Sequence, residues 1–428
     1  MRVSRAAVVA FLCGAALPAG LLASCSSSPA PGGLQNPSPP DSGSAQDSGA
    51  YVPPGDASQP PPADAKSEMP LGTLDTVDEP NTPCVMAGGT KTPLFGPDAG
   101  PLGAPYATHL ASLGANLLAA AEDQPGFFTL SPAGGSPTFY PSTLGPVCSF
   151  ASEGSTIGGA AGGNTILYQR YDGQGNALGA TVTLSPQYPL LPNGVWIGSG
   201  GGTSLAVWST QGGLFAGGIT SSGASAGPSW MLSANALGAA VAIAYDGAHF
   251  GIVWSYSPTP TTSLAFFVLA SLTGPMGSPI PIASGGTAFN VQALTTTPTG
   301  FALLALGAGG DNHTYVLPLD KTGNPLPPAH RLLGADQPWS IASFGSELGV
   351  VVSGDDVGDA GESGPRPPLF RPLDAAGHAL GSWVCLDTPV AKDLLQDMAI
   401  MPTTSGYSVV YEAPSGDEVF TSFDHLGQ

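Results

Sequence analysis

Between Gly238 and Gly286, short apolar runs alternate with turn residues. The runs are Ala239-Ala-Val-Ala-Ile-Ala-Tyr245, Phe250-Gly-Ile-Val-Trp254, Ser263-Leu-Ala-Phe-Phe-Val-Leu-Ala-Ser271 and Ile280-Pro-Ile-Ala283. Short runs rich in Val, Ile, Phe and Trp, bounded by Gly, Pro, Ser and Asp, predict strands. The pattern recurs along the chain. Its clearest marker is a turn glycine behind a strand, at Gly175, Gly223, Gly274, Gly323, Gly377 and Gly427, with spacings of 48, 51, 49, 54 and 50 residues. Gly134 marks a weaker copy. Glycine supplies the positive φ that such turns need. The Asp that often opens the turn, as in Leu319-Asp-Lys-Thr-Gly323, can accept a hydrogen bond from backbone two residues on.

A second apolar run precedes each turn at a similar offset: Ser204–Trp208, Gly251–Trp254, Phe301–Leu304, Gly349–Val352 and Tyr407–Tyr411. A period near 50 residues with four strands per unit is the signature of a propeller blade. A small twisted sheet cannot bury both faces alone, so such units come as a closed ring. The expected fold is therefore an all-β β-propeller of about seven four-stranded blades. The first two copies are short and degenerate, which keeps six or eight blades as alternatives. A stack of β-sandwich domains is the competing architecture. The last copy stops one residue past its turn and lacks a final strand. Near the start, Pro97-Asp-Ala-Gly100 resembles Leu373-Asp-Ala-Ala-Gly377, and the β-type run Ala104–Leu110 follows it. This N-terminal strand is expected to complete the last blade and so remove an exposed edge. Leu113–Asp123 and Ala391–Ala399 carry short helical patterns, the second where the repeat calls for an innermost strand.

Composition adjusts this picture. Only 9% of the 428 residues are charged, so Ser, Thr, Gly and Asn must cover much of the surface, while 42% hydrophobic residues suffice for a core. The formal charge is −20. Without a basic stripe to neutralise phosphates, nucleic-acid binding is excluded. Adhesion of the folded domain to anionic lipid is disfavoured for the same reason.

The N-terminus reads as an export signal. Met1-Arg-Val-Ser-Arg5 is a short basic segment, and Ala6–Leu22 is apolar but broken by Gly14, Pro18 and Gly20. That is too short and too interrupted for a membrane span. Leu22-Ala23-Ser24-Cys25 resembles the lipobox of bacterial lipoproteins at all four positions. The resemblance implies cleavage before Cys25 and acylation of its sulfur. Ser26, in place of Asp, implies sorting to the outer membrane rather than the inner in that family. Residues 26–83 hold 13 prolines among Ser, Gly, Asp and Ala. Such a segment buries too little apolar surface to offset its ordering entropy and is expected to be a disordered tether. Extended as polyproline II it reaches roughly 180 Å, and as a flexible coil about 45 Å. The expected organisation is a signal peptide over 1–24, a lipidated Cys25 and tether over 25–83, and a propeller over 84–428. The whole plan resembles secreted bacterial lipoproteins with propeller-type repeats.

Cys84, Cys148 and Cys385 remain after the signal and the lipid site. In an oxidising compartment they make one disulfide and one odd thiol. Three pairings are open. The ring arrangement favours Cys84–Cys385, because the segment before Gly100 would run along the last blade and Cys385 lies eight residues past Gly377 in the blade before it.

Candidate chemistry is sparse. Asp355, Asp356, Asp359 and Glu362 form the densest acidic cluster, in a Gly-rich loop of the longest repeat. Calcium takes several such oxygens at flexible spacing, although the EF-hand pattern is not met. A solvated acidic loop is the plain alternative, and no other cofactor is implied. Gly223-Ala-Ser225-Ala-Gly227 matches G-x-S-x-G, but a nucleophile elbow needs a helix after it, and Pro228-Ser-Trp-Met-Leu232 continues as a strand. It reads as a hairpin loop. The histidines are scattered, with His249, His378 and His425 at turns, His313 and His330 beside one, and His109 ending the proposed closing strand. Exposed turn histidines are the expectation. Trp208 and Trp254 hold matching places in successive repeats and are expected in the core between blades. The sequence thus points to a lipid-anchored protein of the cell envelope whose ring binds or assembles with a protein or glycan ligand. A carbohydrate-active enzyme, hydrolase or lyase, is the alternative and would need carboxylates converging at one channel mouth.

Overall fold

The structure is a computed structural model. It describes residues 75–427 except 89–90, 96–106, 114–115, 122–125, 131–137, 143, 145–148, 154, 163–164, 186–189, 235–238, 260–261, 283–288, 308–312, 334, 355–366, 388–397 and 414–417. The signal segment, Cys25 and the tether up to residue 74 lie outside the described residues, as do Cys148 and the candidate calcium ligands Asp355, Asp356, Asp359 and Glu362.

Three short strands come first: β1 (Thr76–Glu79), β2 (Val85–Met86) and β3 (Lys91–Phe95). Blade I follows with β4 (Ala107–Leu113), β5 (Asn116–Ala121), β6 (Gly126–Leu130) and β7 (Thr138–Pro141). Blade II is β8 (Ser149–Glu153), β9 (Thr156–Gly162), β10 (Ile166–Tyr171) and β11 (Ala177–Ser185). Blade III is β12 (Leu190–Gly200), β13 (Thr203–Thr210), β14 (Gly213–Ile219) and β15 (Trp230–Ser233). In blade IV, β16 (Ala240–Tyr245), β17 (Phe250–Thr259) and β18 (Thr262–Ser271) are followed by an outer strand in two pieces, β19 (Gly274–Pro275) and β20 (Ile280–Ile282). Blade V is β21 (Phe289–Thr297), β22 (Gly300–Gly307), β23 (Thr314–Asp320) and β24 (Ala329–Leu332). Blade VI is β25 (Ala335–Phe344), β26 (Glu347–Gly354), β27 (Pro368–Asp374) and β28 (Val384–Cys385). Blade VII has β29 (Ala399–Pro402), β30 (Gly406–Glu412) and β31 (Glu418–Asp424) from the C-terminal end of the chain. The described residues thus form seven sheets, with the innermost strands β4, β8, β12, β16, β21, β25 and β29 side by side and β29 next to β4. The ring is closed.

The hydrophobic cores lie between blades, and strand alternation decides which core a side chain enters. Along β13, Leu205 and Val207 face blade IV while Ala206 and Trp208 face blade II. Along β22, Phe301, Leu303 and Ala305 pack on blade IV, and Ala302 and Leu304 pack on blade VI. Successive side chains leave opposite faces of a strand, and here both faces are covered. That is why the second strands read as continuous apolar runs in the sequence. Each Leu, Val or Phe among them contributes about 1.5–3 kcal/mol by leaving water. Trp208 and Trp254 are fully buried in these seams, as expected.

Three expectations need correction. The strand that completes blade VII is β3, which pairs antiparallel with β31 from Lys91↔Thr421 to Phe95↔Glu418. The predicted Ala104–Leu110 run contributes instead to β4, the innermost strand of blade I. Closure by an N-terminal strand holds, but an earlier segment performs it. The ordered ring also begins before residue 84, because β1 adds in parallel to β24 and β2 in parallel to β28. Main-chain pairing at a sheet edge orders these residues despite their weak apolar content. The helical pattern at Leu113–Asp123 is overridden likewise, since Asn116–Ala121 is strand β5.

The turn glycines have two jobs. Gly175, Gly223, Gly323, Gly377 and Gly427 all have positive φ, between 77° and 99°. Each also lies against a side chain of the preceding blade: a Cβ would meet Tyr140 at Gly175, Arg170 at Gly223, Phe267 at Gly323, His330 at Gly377 and Val384 at Gly427. Gly274 differs, with nothing within 4 Å of such a Cβ. The Asp at the head of the turn works as its spacing predicts. Asp320 Oδ1 accepts from the Thr322 and Asn324 amides and from the Thr322 hydroxyl, and Oδ2 accepts from the Asn324 side chain. Burial raises its pKa, but the hydrogen bonds from Thr322 and Asn324 outweigh this and hold it at about 2.

Gly323→Ala should destabilise the ring by about 2–4 kcal/mol, from left-handed strain plus the Phe267 clash, while Gly274→Ala should stay within about 0.5 kcal/mol. Thermal melts of the pair measure the difference. Asp320→Ala should cost about 1–2 kcal/mol at neutral pH. Because the folded-state pKa lies below the ordinary 3.8, the wild-type advantage is complete above about pH 4 and narrows as pH falls towards 2. Denaturant titrations across that range measure it.

Candidate functional site

The segment from Asp75 to Phe95 is a strap that crosses the outer edges of blades V, VI and VII in turn. On blade V, the four residues of β1 pair in register from Thr76↔Ala329 to Glu79↔Leu332, and the Ala329 amide donates to the Asp75 carbonyl. The next contacts are ionic. Arg331 Nε and Nη2 donate to the two oxygens of Asp78 at 2.6 and 2.7 Å. Such forked pairs combine charge with fixed geometry. The Arg331 hydrogen bond holds the Asp78 carboxyl below its ordinary range.

Glu79 points inward and is buried. Its Oε1 lies 2.8 Å from Nδ1 of His330, and its Oε2 accepts from the Ala379 amide of blade VI at 2.9 Å. His330 is fully buried, which corrects the expectation of an exposed turn histidine. It lies under the Gly377 turn, edge-on to the His378 ring at 4.6 Å. Arg371, also fully buried, donates from Nη2 to the Pro80 carbonyl at 2.9 Å. Its guanidinium sits 4.8 Å from the Trp383 ring centroid, and the Trp383 indole N–H donates to the Leu333 carbonyl. Burial pushes the Arg371 pKa down, and the charge of Glu79 acts against that. A buried charge needs a partner of opposite sign nearby; Glu79 supplies it for Arg371, and the same carboxylate is hydrogen-bonded to the His330 ring.

Past Pro80 the strap is joined to blade VI by the Cys84–Cys385 disulfide, with Cα atoms 5.4 Å apart. The Val85 and Ala87 amides donate to the Trp383 and Cys385 carbonyls. Beside this staple lies an open groove of about 470 Å³, lined by Val85, Met86, Leu380, Trp383, Val384 and Leu426 among others. Val85, Met86, Leu380 and Leu426 are exposed there. On blade VII, Lys91 of β3 pairs with Asp387 at 2.9 Å, and Asp387 also accepts from the Tyr411 hydroxyl.

Ser225 and the turn carboxylates fall elsewhere. Ser225 lies in the blade III hairpin and donates to the Gly227 carbonyl two residues on, with no helix following. Asp246, Asp374 and Asp424 sit at turns of blades IV, VI and VII, each accepting from the backbone of its own turn. Among the described residues, no three His, Cys, Asp or Glu side chains gather in a way that could hold a metal ion. Glu79 was hidden in the sequence by its Pro-rich surroundings. Arg371 carried a readable signal, as a lone cation inside the apolar third-strand run Pro368-Leu-Phe-Arg-Pro-Leu373.

Replacing both Cys84 and Cys385 by Ser should cost about 2–5 kcal/mol, because the bond closes a loop with a sequence separation of 301 residues. Thermal melts of the variant and of the reduced wild type should fall together, a few degrees below the oxidised protein.

No family model matches this chain, and no curated protein matches it. Among solved structures, it is similar to a chain of the mitotic checkpoint complex, at 13% identity and a TM-score of 0.50, covering 81% of this chain and 96% of that one. It is also similar to the WD40 β-propeller domain of Doa1, at 12% identity and a TM-score of 0.49, covering 79% and 98%. A third similarity is to apo AztD from Citrobacter koseri, at 12% identity and a TM-score of 0.44, covering 74% and 84%. Identities this low speak to fold alone; the seven sheets in a closed ring make this chain a β-propeller.

Proposed function

We propose that this chain is an extracytoplasmic lipoprotein, anchored through Cys25, whose propeller serves as a binding or assembly module. The observation that carries the reading is the Cys84–Cys385 disulfide. Disulfides persist in oxidising compartments, which agrees with an export signal ahead of Cys25. The route of the strap supports the rest. Its described residues pair with β24 and β28, the outer strands of their blades, and with β31, where β3 itself becomes the outer strand, so Asp75 lies on the rim of the ring. A ring held from its rim keeps its innermost strands clear of the attachment. Propellers build ligand sites from loops of several blades, and the carboxylates at the blade IV, VI and VII turns are engaged by their own backbone. Both points favour binding over hydrolysis as the work of this ring. From Cys25 to Asp75 the chain spans about 40 Å as a coil and roughly 155 Å fully extended, enough to hold the ring off a membrane. Ser26 favours the outer membrane as the destination.

Expression in a bacterial host with radiolabelled palmitate tests the anchor. The wild-type chain should take up label and sediment with membranes, while Cys25→Ser should take up none and should lose the mature N-terminus at residue 25. Unlabelled wild-type protein in the soluble fraction would overturn the reading.

A further inference from the structure

The first contact of the strap is more specific than strand pairing requires. The chain has only 10 Lys and Arg against 30 Asp and Glu. Two of those ten, Arg331 and Arg371, contact the strap together with the buried His330 at the edge between blades V and VI. Each reads a different feature of the strap. Arg331 takes both oxygens of Asp78, His330 and the Ala379 amide take the two oxygens of Glu79, and Arg371 takes the Pro80 carbonyl. Strand β24 supplies the main-chain partners. The reading groups are positioned by the ring itself: Trp383 supports Arg371, and the Gly377 turn lies against His330. His330 Nε2 and Arg371 Nε and Nη1 have no hydrogen-bond partner among the described residues. Arg371 therefore has more donor capacity than the strap uses.

We propose that this edge is a receptor for extended peptides carrying consecutive carboxylates followed by proline, and that Asp75–Pro80 fills it in cis. The proposal deepens the binding-module reading and rests on it, by naming the ligand chemistry. The cis occupant is built to be exchangeable. Its pairing is four residues long, Asp78 and Val77 are exposed, and the covalent staple lies beyond it at Cys84. Displacing Asp75–Pro80 breaks the Arg331–Asp78 pair, the two hydrogen bonds to Glu79, the Arg371–Pro80 hydrogen bond and one short ladder, and leaves β2, β3 and the disulfide in place. The tethered segment competes at an effective concentration in the millimolar range. A peptide in trans therefore binds well only where the cis contact is weakened.

The test uses the full chain with its disulfide intact and a fluorescent peptide of the sequence from Leu74 to Asn81. By anisotropy, the D78N/E79Q double variant should bind the peptide at least tenfold more tightly than the wild-type chain does. A peptide with Asn and Gln at the acidic positions should bind at least tenfold more weakly, and adding Arg331→Ala should remove the gain. A second measurement needs no variant. In the wild-type chain, unlabelled peptide at millimolar concentration should speed hydrogen exchange of the 76–79 amides and leave 91–95 unchanged. A folded double variant that binds no better than wild type, binding indifferent to the acid-to-amide exchange, or unchanged exchange at 76–79 would each overturn the proposal. Because palmitate labelling reports on the anchor alone, failure there and failure here are separable.

Discussion

A four-stranded blade has two apolar faces and can cover neither by itself. That constraint governs this molecule. Along β13 and β22, odd and even side chains enter different seams, so every blade depends on both neighbours. A row of such blades would end in two bare faces, and only a ring removes them. The ring in turn needs a join, which falls in blade VII, where three strands from the C-terminal end are completed by β3. The chain ahead of β3 reaches that place along the rim. The strap over blades V and VI, with its ion pairs and its disulfide, follows from that route.

Much of this was legible because it repeats. Period, strand count and turn chemistry recur at each Asp-x-x-Gly, and repetition lifts a weak local signal above chance. The doubly buried second strands were legible for a further reason: with both faces covered, their apolar runs do not alternate. What the sequence could not show is what happens once. The strand β3, Lys-Thr-Pro-Leu-Phe, has no counterpart elsewhere in the chain, so the more repeat-like Ala104–Leu110 took its place in the reading. The turn glycines were read as conformational necessities. That they also lie against the preceding blade, Gly323 on Phe267 and Gly377 on His330, is a tertiary fact that no local rule contains.

The candidate site was hidden for the same reason. Glu79 lies in a segment whose composition reads as tether, and His330 lies beside a turn, where His249, His313, His378 and His425 all keep some exposure. Each looks ordinary alone, and the site exists only through pairing between residues 251 positions apart. Arg371 was the one partial clue. A cation inside an apolar strand has to find an acceptor, and in a chain this poor in charge such a residue marks a built contact.

The place of the disulfide along the strap has a mechanical consequence. The described strap begins at Asp75 on blade V, the crosslink is at Cys84, and the strand that closes the ring comes after both. Tension drawn from the N-terminal side can peel β1 away from blade V, but at Cys84 it passes through a covalent bond into blade VI. Strand β3 lies beyond that bond and carries none of the load. The clasp of the ring is held by hydrogen bonds and the Lys91–Asp387 pair, yet it is shielded from any pull on the segment that precedes it.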